Sequence, residues 1–177
     1  MLRRLQPHPN FPAASPGRIE AEAERVGTDS LKLTYRMAGG LRHLRLPQGD
    51  RLRREHDLWR GTCFEAFLRS REDERYFEIN LSPSLGWQVY GFERYRSGRF
   101  EPPVPHIRVT TRSTPWTYRL EAELGGLPEG PWSLNLTAVV EQADGALSYW
   151  ALAHPPGAPD FHHADCFTLD LAAPDRP

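Results

Sequence analysis

The sequence predicts an all-β domain, a sandwich or a barrel, and three observations lead there. Segment after segment alternates apolar and polar residues with period two, as strands with one buried face do. Turn residues recur throughout, with 17 prolines and 14 glycines spread over 177 residues. They cut the chain into roughly ten or eleven short strands. Almost no stretch repeats with the helical period, which leaves sheet packed on sheet or a sheet closed on itself.

Residues 1–16 read as irregular and proline-rich, and the domain as residues 17–171, with a tail at 172–177. Ile19, Ala21 and Ala23 alternate with Glu20, Glu22 and Glu24. After a turn at 27–29, Leu31, Leu33, Tyr35 and Met37 alternate with Lys32, Thr34 and Arg36. This is a hairpin with one polar face. Gly39 and Gly40 break it, and "LRHLRL" gives a short third strand. Residues 47–61 are charged and loop-like, with at most one helical turn around 52–56. Three strands follow in close order, "TCFEAFLRS", "RYFEINLSP" and "GWQVYGFERY", joined by "REDE" and "SPSLG". "HIRVTTRS", "WTYRLEAEL", "WSLNLTAVVEQ", "LSYWALA" and "CFTLDL" complete the set. Residues 153–165, "AHPPGAPDFHHAD", form a loop stiffened by three prolines. Phe64, Leu68, Phe77, Ile79, Leu81, Val109, Leu134 and Leu136 are the expected interior.

Twenty-two basic residues balance 23 acidic ones, so no net field draws in nucleic acid or an acidic membrane. No apolar run reaches the roughly 20 residues of a membrane helix, and the N-terminus lacks the apolar core of a signal peptide. These features point to the cytoplasm. In that reducing compartment Cys63 and Cys166 are expected as free, buried thiols.

The candidate site lies on strand faces that carry unusual residues. Tyr76, Glu78 and Asn80 oppose the apolar face of Phe77, Ile79 and Leu81. Cys63, Glu65 and Phe67 oppose Phe64, Ala66 and Leu68. If the two strands pair through "REDE", Glu65 and Glu78 share one side of a sheet. Trp87, Tyr90, Phe92 and Tyr95 arrive from the next strand and its exit. Rings that stack on a pyranose, mixed with carboxylates and amides that take its hydroxyls, suit a sugar. Trp59 and Trp87 stand where loops meet strands and are candidate stacking platforms, whereas Trp116, Trp132 and Trp150 read as packing residues. The plain alternative makes both glutamates solvated surface charges with arginine partners. An enzyme alternative makes them the acid and the nucleophile or base of glycoside chemistry. A third class is a scaffold, for instance a homodimer that buries Trp87 and Tyr90.

The stretch "PDFHHADCF" holds Asp160, His162, His163 and Asp165. Neighbouring histidines on an extended chain point apart, and no H-x-H, H-E-x-x-H or C-x-x-C occurs. A transition metal is therefore not expected. Calcium through Asp160 or Asp165 suits loop oxygens better than zinc does.

"LWRGTCFEAFL", "YFEINLSPSLGWQVYGFERYR" and "PDFHHADCFTLDL" together resemble the bacterial DOMON-like proteins, relatives of the family-nine carbohydrate-binding modules. The resemblance covers about residues 17–171. It implies a two-sheet antiparallel β-sandwich of jelly-roll type with a concave face for a small ligand, carbohydrate or haem. Haem-binding relatives use an axial methionine. Here only Met1 and Met37 occur, and Met37 sits in an apolar alternation, so haem is not expected. Secreted family-nine modules are joined to glycoside hydrolases. For a lone cytoplasmic domain, a soluble sugar, sugar nucleotide or cell-wall precursor fits better. The expected binding set is Trp59, Glu65, Tyr76, Glu78, Asn80, Trp87, Tyr90, Arg96 and His162, with no catalytic residue assigned.

Overall fold

The computed structural model describes residues 1–71 and 73–173. The expected tail at 172–177 lies, from residue 174 on, outside the described residues. Thirteen strands run in order among the described residues: β1 Arg3–Arg4, β2 Gln6–Pro7, β3 Arg18–Arg25, β4 Leu31–Ala38, β5 Arg53–Arg54, β6 Cys63–Ser70, β7 Tyr76–Leu81, β8 Gly86–Phe92, β9 Ile107–Ser113, β10 Thr117–Leu124, β11 Trp132–Glu141, β12 Leu147–Ala151 and β13 Leu169–Leu171.

They form two sheets, so the sandwich is observed rather than a closed barrel. One sheet has the order β1-β3-β4-β10-β9. The other has the order β2-β12-β11-β6-β7-β8-β5, with β13 also paired to β11. The pairings are antiparallel except that β5 runs parallel to β8. The period-two alternation read from β3 and β4 becomes the inner face of the smaller sheet: Ile19, Ala21, Leu31, Leu33, Tyr35 and Met37 are buried. Phe64, Leu68, Ile79, Leu81, Leu134 and Leu136 meet them from the larger sheet and are fully buried. The smaller sheet ends at β9, whose exposed positions include Arg108 and Arg112.

The larger sheet differs from the smaller in being buried on both faces. Every residue of β6 but Arg69, and every residue of β11 but Glu141, is buried. A second apolar cluster explains this. Phe67, Tyr76, Tyr90, Phe92, Val139, Ala151 and Phe161 pack on the outer face of the sheet. The chain after β8 is drawn back alongside β8 at Gly91, whose amide and carbonyl exchange hydrogen bonds with Phe100 at 2.8 and 2.9 Å. The Phe100 ring lies 2.3 Å from where a Cβ on Gly91 would stand, so no larger residue fits without displacing it.

The structure departs from the sequence expectations at several places. The N-terminal segment, expected to be irregular, adds short strands to both sheets, β1 on β3 and β2 on β12. "LRHLRL" is a 3-10 turn at Leu41–His43, and only Leu44 then bridges, to Gln142. Gly39 and Gly40, with φ of 84° and 71°, turn the chain out of the sheet there. The helical turn expected at 52–56 forms at Leu58–Arg60, because Arg53 and Arg54 are taken by β8. Phe77 and Val109 are only partly buried against the core. Val109 lies on an edge strand, and Phe77 sits opposite the side-chain-less Gly91. Trp116 is not a packing residue: it is 73% exposed in the turn before β10. Cys63 and Cys166 are free and buried.

Phe64 lies between Tyr35 and Tyr118, at ring-centroid distances of 5.1 and 5.8 Å. Phe64→Ala is expected to cost about 3–5 kcal/mol through the cavity it leaves. Phe77→Ala should cost clearly less, and urea denaturation of the two variants measures the difference.

Candidate functional site

The outer face of the larger sheet is built by register. β6 and β7 pair with Glu65 opposite Asn80, Phe67 opposite Glu78 and Arg69 opposite Tyr76. β7 and β8 pair with Asn80 opposite Gln88, Glu78 opposite Tyr90 and Tyr76 opposite Phe92. On the other side, β11 sets Thr137 opposite Glu65 and Asn135 opposite Phe67. Directly opposed residues point to the same side of a sheet. One face therefore carries two carboxylates, three amides and a row of aromatic rings.

A cavity of about 490 Å³ opens on this face. Its floor is Glu65, Phe67, Glu78, Tyr90, Phe92, Val139 and Tyr149. Pro159, Phe161 and His162 come from the loop after β12, Arg96 and Arg99 from the loop after β8, and Trp59 from the turn before β6. Six of the nine residues named from sequence line it: Trp59, Glu65, Glu78, Tyr90, Arg96 and His162. Tyr76 and Asn80 stand behind the lining and hold it in place. Trp87 does not join them. It pairs with Leu81 and packs against the core between the sheets, because period two puts it on the side opposite Gln88 and Tyr90.

Glu65 is 2% exposed and Glu78 is 7% exposed. Glu65 Oε2 accepts from the Thr137 hydroxyl at 3.3 Å, and its Oε1 is buried with no hydrogen-bond partner. Burial, then the nearby Glu78 charge, hold the Glu65 carboxyl well above the usual carboxylate range. Burial raises Glu78 as well; a 2.7 Å hydrogen bond from Asn80 Nδ2 and the Arg96 and Arg99 charges offset part of that. Neither glutamate is a solvated charge with a close arginine partner. That outcome displaces the plain alternative.

The loops over the sheet are tied to it by polar contacts. Asn135 Nδ2 donates to the Phe161 carbonyl at 3.0 Å. Asp160 accepts from Arg96 Nη2 at 2.8 Å, from the Tyr95 hydroxyl at 2.6 Å and from the His162 amide at 3.2 Å. Although burial works against it, these bonds keep the Asp160 carboxyl below its ordinary value. The Tyr76 hydroxyl accepts the Arg96 amide at 3.0 Å and lies 2.8 Å from His162 Nδ1. His162 Nε2 faces Glu78 Oε2 at 3.7 Å. Burial, with Arg96 adding to it and Asp160 opposing, pushes His162 down to about 4, so the ring is neutral near pH 7. Arg96 itself holds φ at 51°, a left-handed backbone uncommon outside glycine. Its side chain and amide reach two different walls of the site from that one position.

Asp160 and Asp165, the calcium candidates, do not converge. The first is committed to Arg96 and Tyr95, and the second is exposed beside His163. Among the described residues no three His, Cys, Asp or Glu side chains gather to hold a metal ion.

Seven lining residues were not in the sequence-derived set: Phe67, Phe92, Arg99, Val139, Tyr149, Pro159 and Phe161. Phe67 and Phe92 share strand faces with Glu65 and Tyr90, so alternation alone could have added them. Tyr149 alternates with the buried Trp150 in the same way. No local signal marks Arg99, Pro159 or Phe161, which reach the site through loop paths.

No protein-family model matches the chain, and no curated protein matches it. Its fold is similar to that of a Bacteroides uniformis protein described as a "putative carbohydrate-binding protein". That pair is 13% identical, with a TM-score of 0.70 over 94% of this chain and 84% of that chain. It is also similar to a family-nine carbohydrate-binding module of Caldicellulosiruptor kristjanssonii in complex with cellotriose. Here identity is 10% and the TM-score 0.52, over 86% of this chain and 74% of that chain. At such identities the likeness is one of fold.

The raised Glu65 carboxyl fixes the sign of a pH effect. The folded chain keeps a proton that the unfolded chain releases in the usual carboxylate range. The stability contributed by the neutral carboxyl is complete below that range and is lost as pH rises through the folded value. Glu65→Gln, neutral at every pH, is expected to melt above the parent protein at about pH 8, and the gap should close toward about pH 4. Melting curves across that range test it. An unchanging gap would mean that Glu65 does not titrate abnormally.

Proposed function

We propose that the chain is a non-catalytic binding module that holds a small carbohydrate, or a metabolite containing one, in the pocket on the outer face of its larger sheet. One observation carries this reading. Aromatic side chains and buried hydrogen-bonding groups line the same cavity. Its volume of about 490 Å³ falls within the range of small-ligand pockets, about 300–1,000 Å³. Rings take the C–H face of a sugar, and Glu78, Glu65, His162 and Arg96 offer partners for its hydroxyls. The fold similarity to a family-nine module solved with cellotriose supports the reading, as does the resemblance of the sequence blocks to DOMON-like proteins. For a cytoplasmic protein, as the sequence suggests, the ligand is a soluble sugar, sugar nucleotide or cell-wall precursor. Affinity should be modest, on the order of micromolar to millimolar, because hydroxyl desolvation offsets most of each hydrogen bond gained.

A second reading, glycoside processing by Glu65 and Glu78, is favoured by one feature: both carboxyls are raised and both line one cavity. A raised carboxyl is what a general acid needs. Incubation with a panel of glycosides separates the two readings. Turnover that disappears in Glu65→Gln or Glu78→Gln while binding persists would replace the module with an enzyme.

The direct test is a glycan and metabolite screen by thermal shift, followed by calorimetry on each hit. A ligand at about 100 times its dissociation constant adds about 2.7 kcal/mol of stability, which a melting curve resolves. Trp59 is 45% exposed, so its removal should leave the fold intact. Trp59→Ala is expected to weaken a confirmed sugar roughly five- to tenfold through lost stacking. A sugar that binds Trp59→Ala and Glu78→Gln as tightly as the parent occupies some other surface.

A further inference from the structure

The carboxylates at the floor of the pocket lack a cation of their own. Glu78 Oε1 takes the Asn80 amide at 2.7 Å, while Oε2 faces the neutral His162 ring, at 3.7 Å. Glu65 Oε1 is buried without a hydrogen-bond partner. The Arg96 and Arg99 charges reach Glu78 only at a distance, and each guanidinium makes its close contact elsewhere. Arg96 is bound to Asp160 at 2.8 Å, and Arg99 lies over the Tyr90 ring, 5.0 Å from its centroid. Glu65 and Glu78 sit diagonally on adjacent strands, close enough for the Glu78 charge to act on Glu65. Around them the surroundings are mostly ring carbon, from Phe67, Tyr90, Phe92, Tyr149 and Phe161.

That combination favours a positive charge. Buried carboxylates make strong charge-assisted hydrogen bonds to an ammonium group, and aromatic faces attract a cation in a desolvated site. A neutral hydroxyl would fill a hydrogen-bond position but bring Glu78 no counter-charge. An ammonium group relieves both deficits at once.

We propose that the ligand of this pocket is an amino sugar with a free amine, whose ammonium group donates to Glu78 Oε2 beside Glu65 while its ring lies against the aromatic wall. The proposal rests on the carbohydrate reading above and narrows it. Calorimetry near neutral pH on D-glucosamine, D-galactosamine and D-mannosamine, each beside its hydroxyl parent and its N-acetyl derivative, tests it. At least one amine should bind about tenfold or more tightly than both of its counterparts. In Glu78→Gln and in Glu65→Gln, checked for folding by their melting curves, that ratio should fall toward one. If either variant fails to fold, the ratio in the parent protein and the other variant decide. Hydroxyl or N-acetyl sugars that bind as tightly as the amines overturn the inference and leave the carbohydrate reading standing. So does an amine preference that survives both substitutions. If none of these sugars binds, the inference falls, and the wider glycan and metabolite screen decides the carbohydrate reading.

Discussion

The register between β6 and β7 is the constraint on which the rest of the molecule depends. It sets Phe64, Leu68, Ile79 and Leu81 toward the smaller sheet and Glu65, Phe67, Glu78 and Asn80 away from it. A slip by one residue would send every one of these side chains to the wrong face. The apolar residues hold the register, since exposing them and burying both carboxylates between the sheets would be prohibitive. The polar face therefore needs no stabilising interactions of its own to stay in position. Its two unfavourable features, a partnerless carboxyl oxygen and two glutamates buried side by side, are borne by packing on the reverse side of the same strands.

The outer face would be an ordinary solvated surface if nothing covered it. The loops after β8 and β12 change its character by removing water. Phe161 and Tyr149 then pack with Phe67 and Phe92 as a second small core, and the glutamates below lose solvation. The polar ties of these loops converge on few residues. Arg96 reaches Tyr76 through its backbone and Asp160 through its side chain, and Asp160 holds the turn that carries His162. The electrostatic state of the floor thus follows from the geometry of the loops above it. Burial shifts Glu65, Glu78 and His162 all toward their neutral forms.

Period-two alternation was enough to read the strands and most of their inner faces; the two-sheet form came with the family resemblance, and the shared side of Glu65 and Glu78 followed only if their strands pair, as they do. Alternation reads strands well because each strand has one consistent inside. It also carried information that was passed over: the alternation that buries Val89 assigns Trp87 to the core side, yet its position beside a turn suggested a platform. The burial of the glutamates was not legible. Whether a polar strand face meets water depends on chain segments distant in sequence, as in the Asn135–Phe161 and Tyr76–His162 contacts, whose partners lie 26 and 86 residues apart. The N-terminal strands escaped for another reason. Two-residue strands such as Arg3–Arg4 and Gln6–Pro7 are too short to show a period, and they form because sheet edges offer them partners.

The edge strand β9 bears on how this protein behaves at high concentration. An open edge presents unpaired amides and carbonyls to any strand that arrives, including the same strand of another copy. For two β9 strands meeting antiparallel about Thr110, Arg108 of each falls opposite Arg112 of the other. Two such arginine pairs would be forced together on a desolvating contact, where like charges repel. In that register the sequence of β9 opposes the edge-to-edge pairing of two copies.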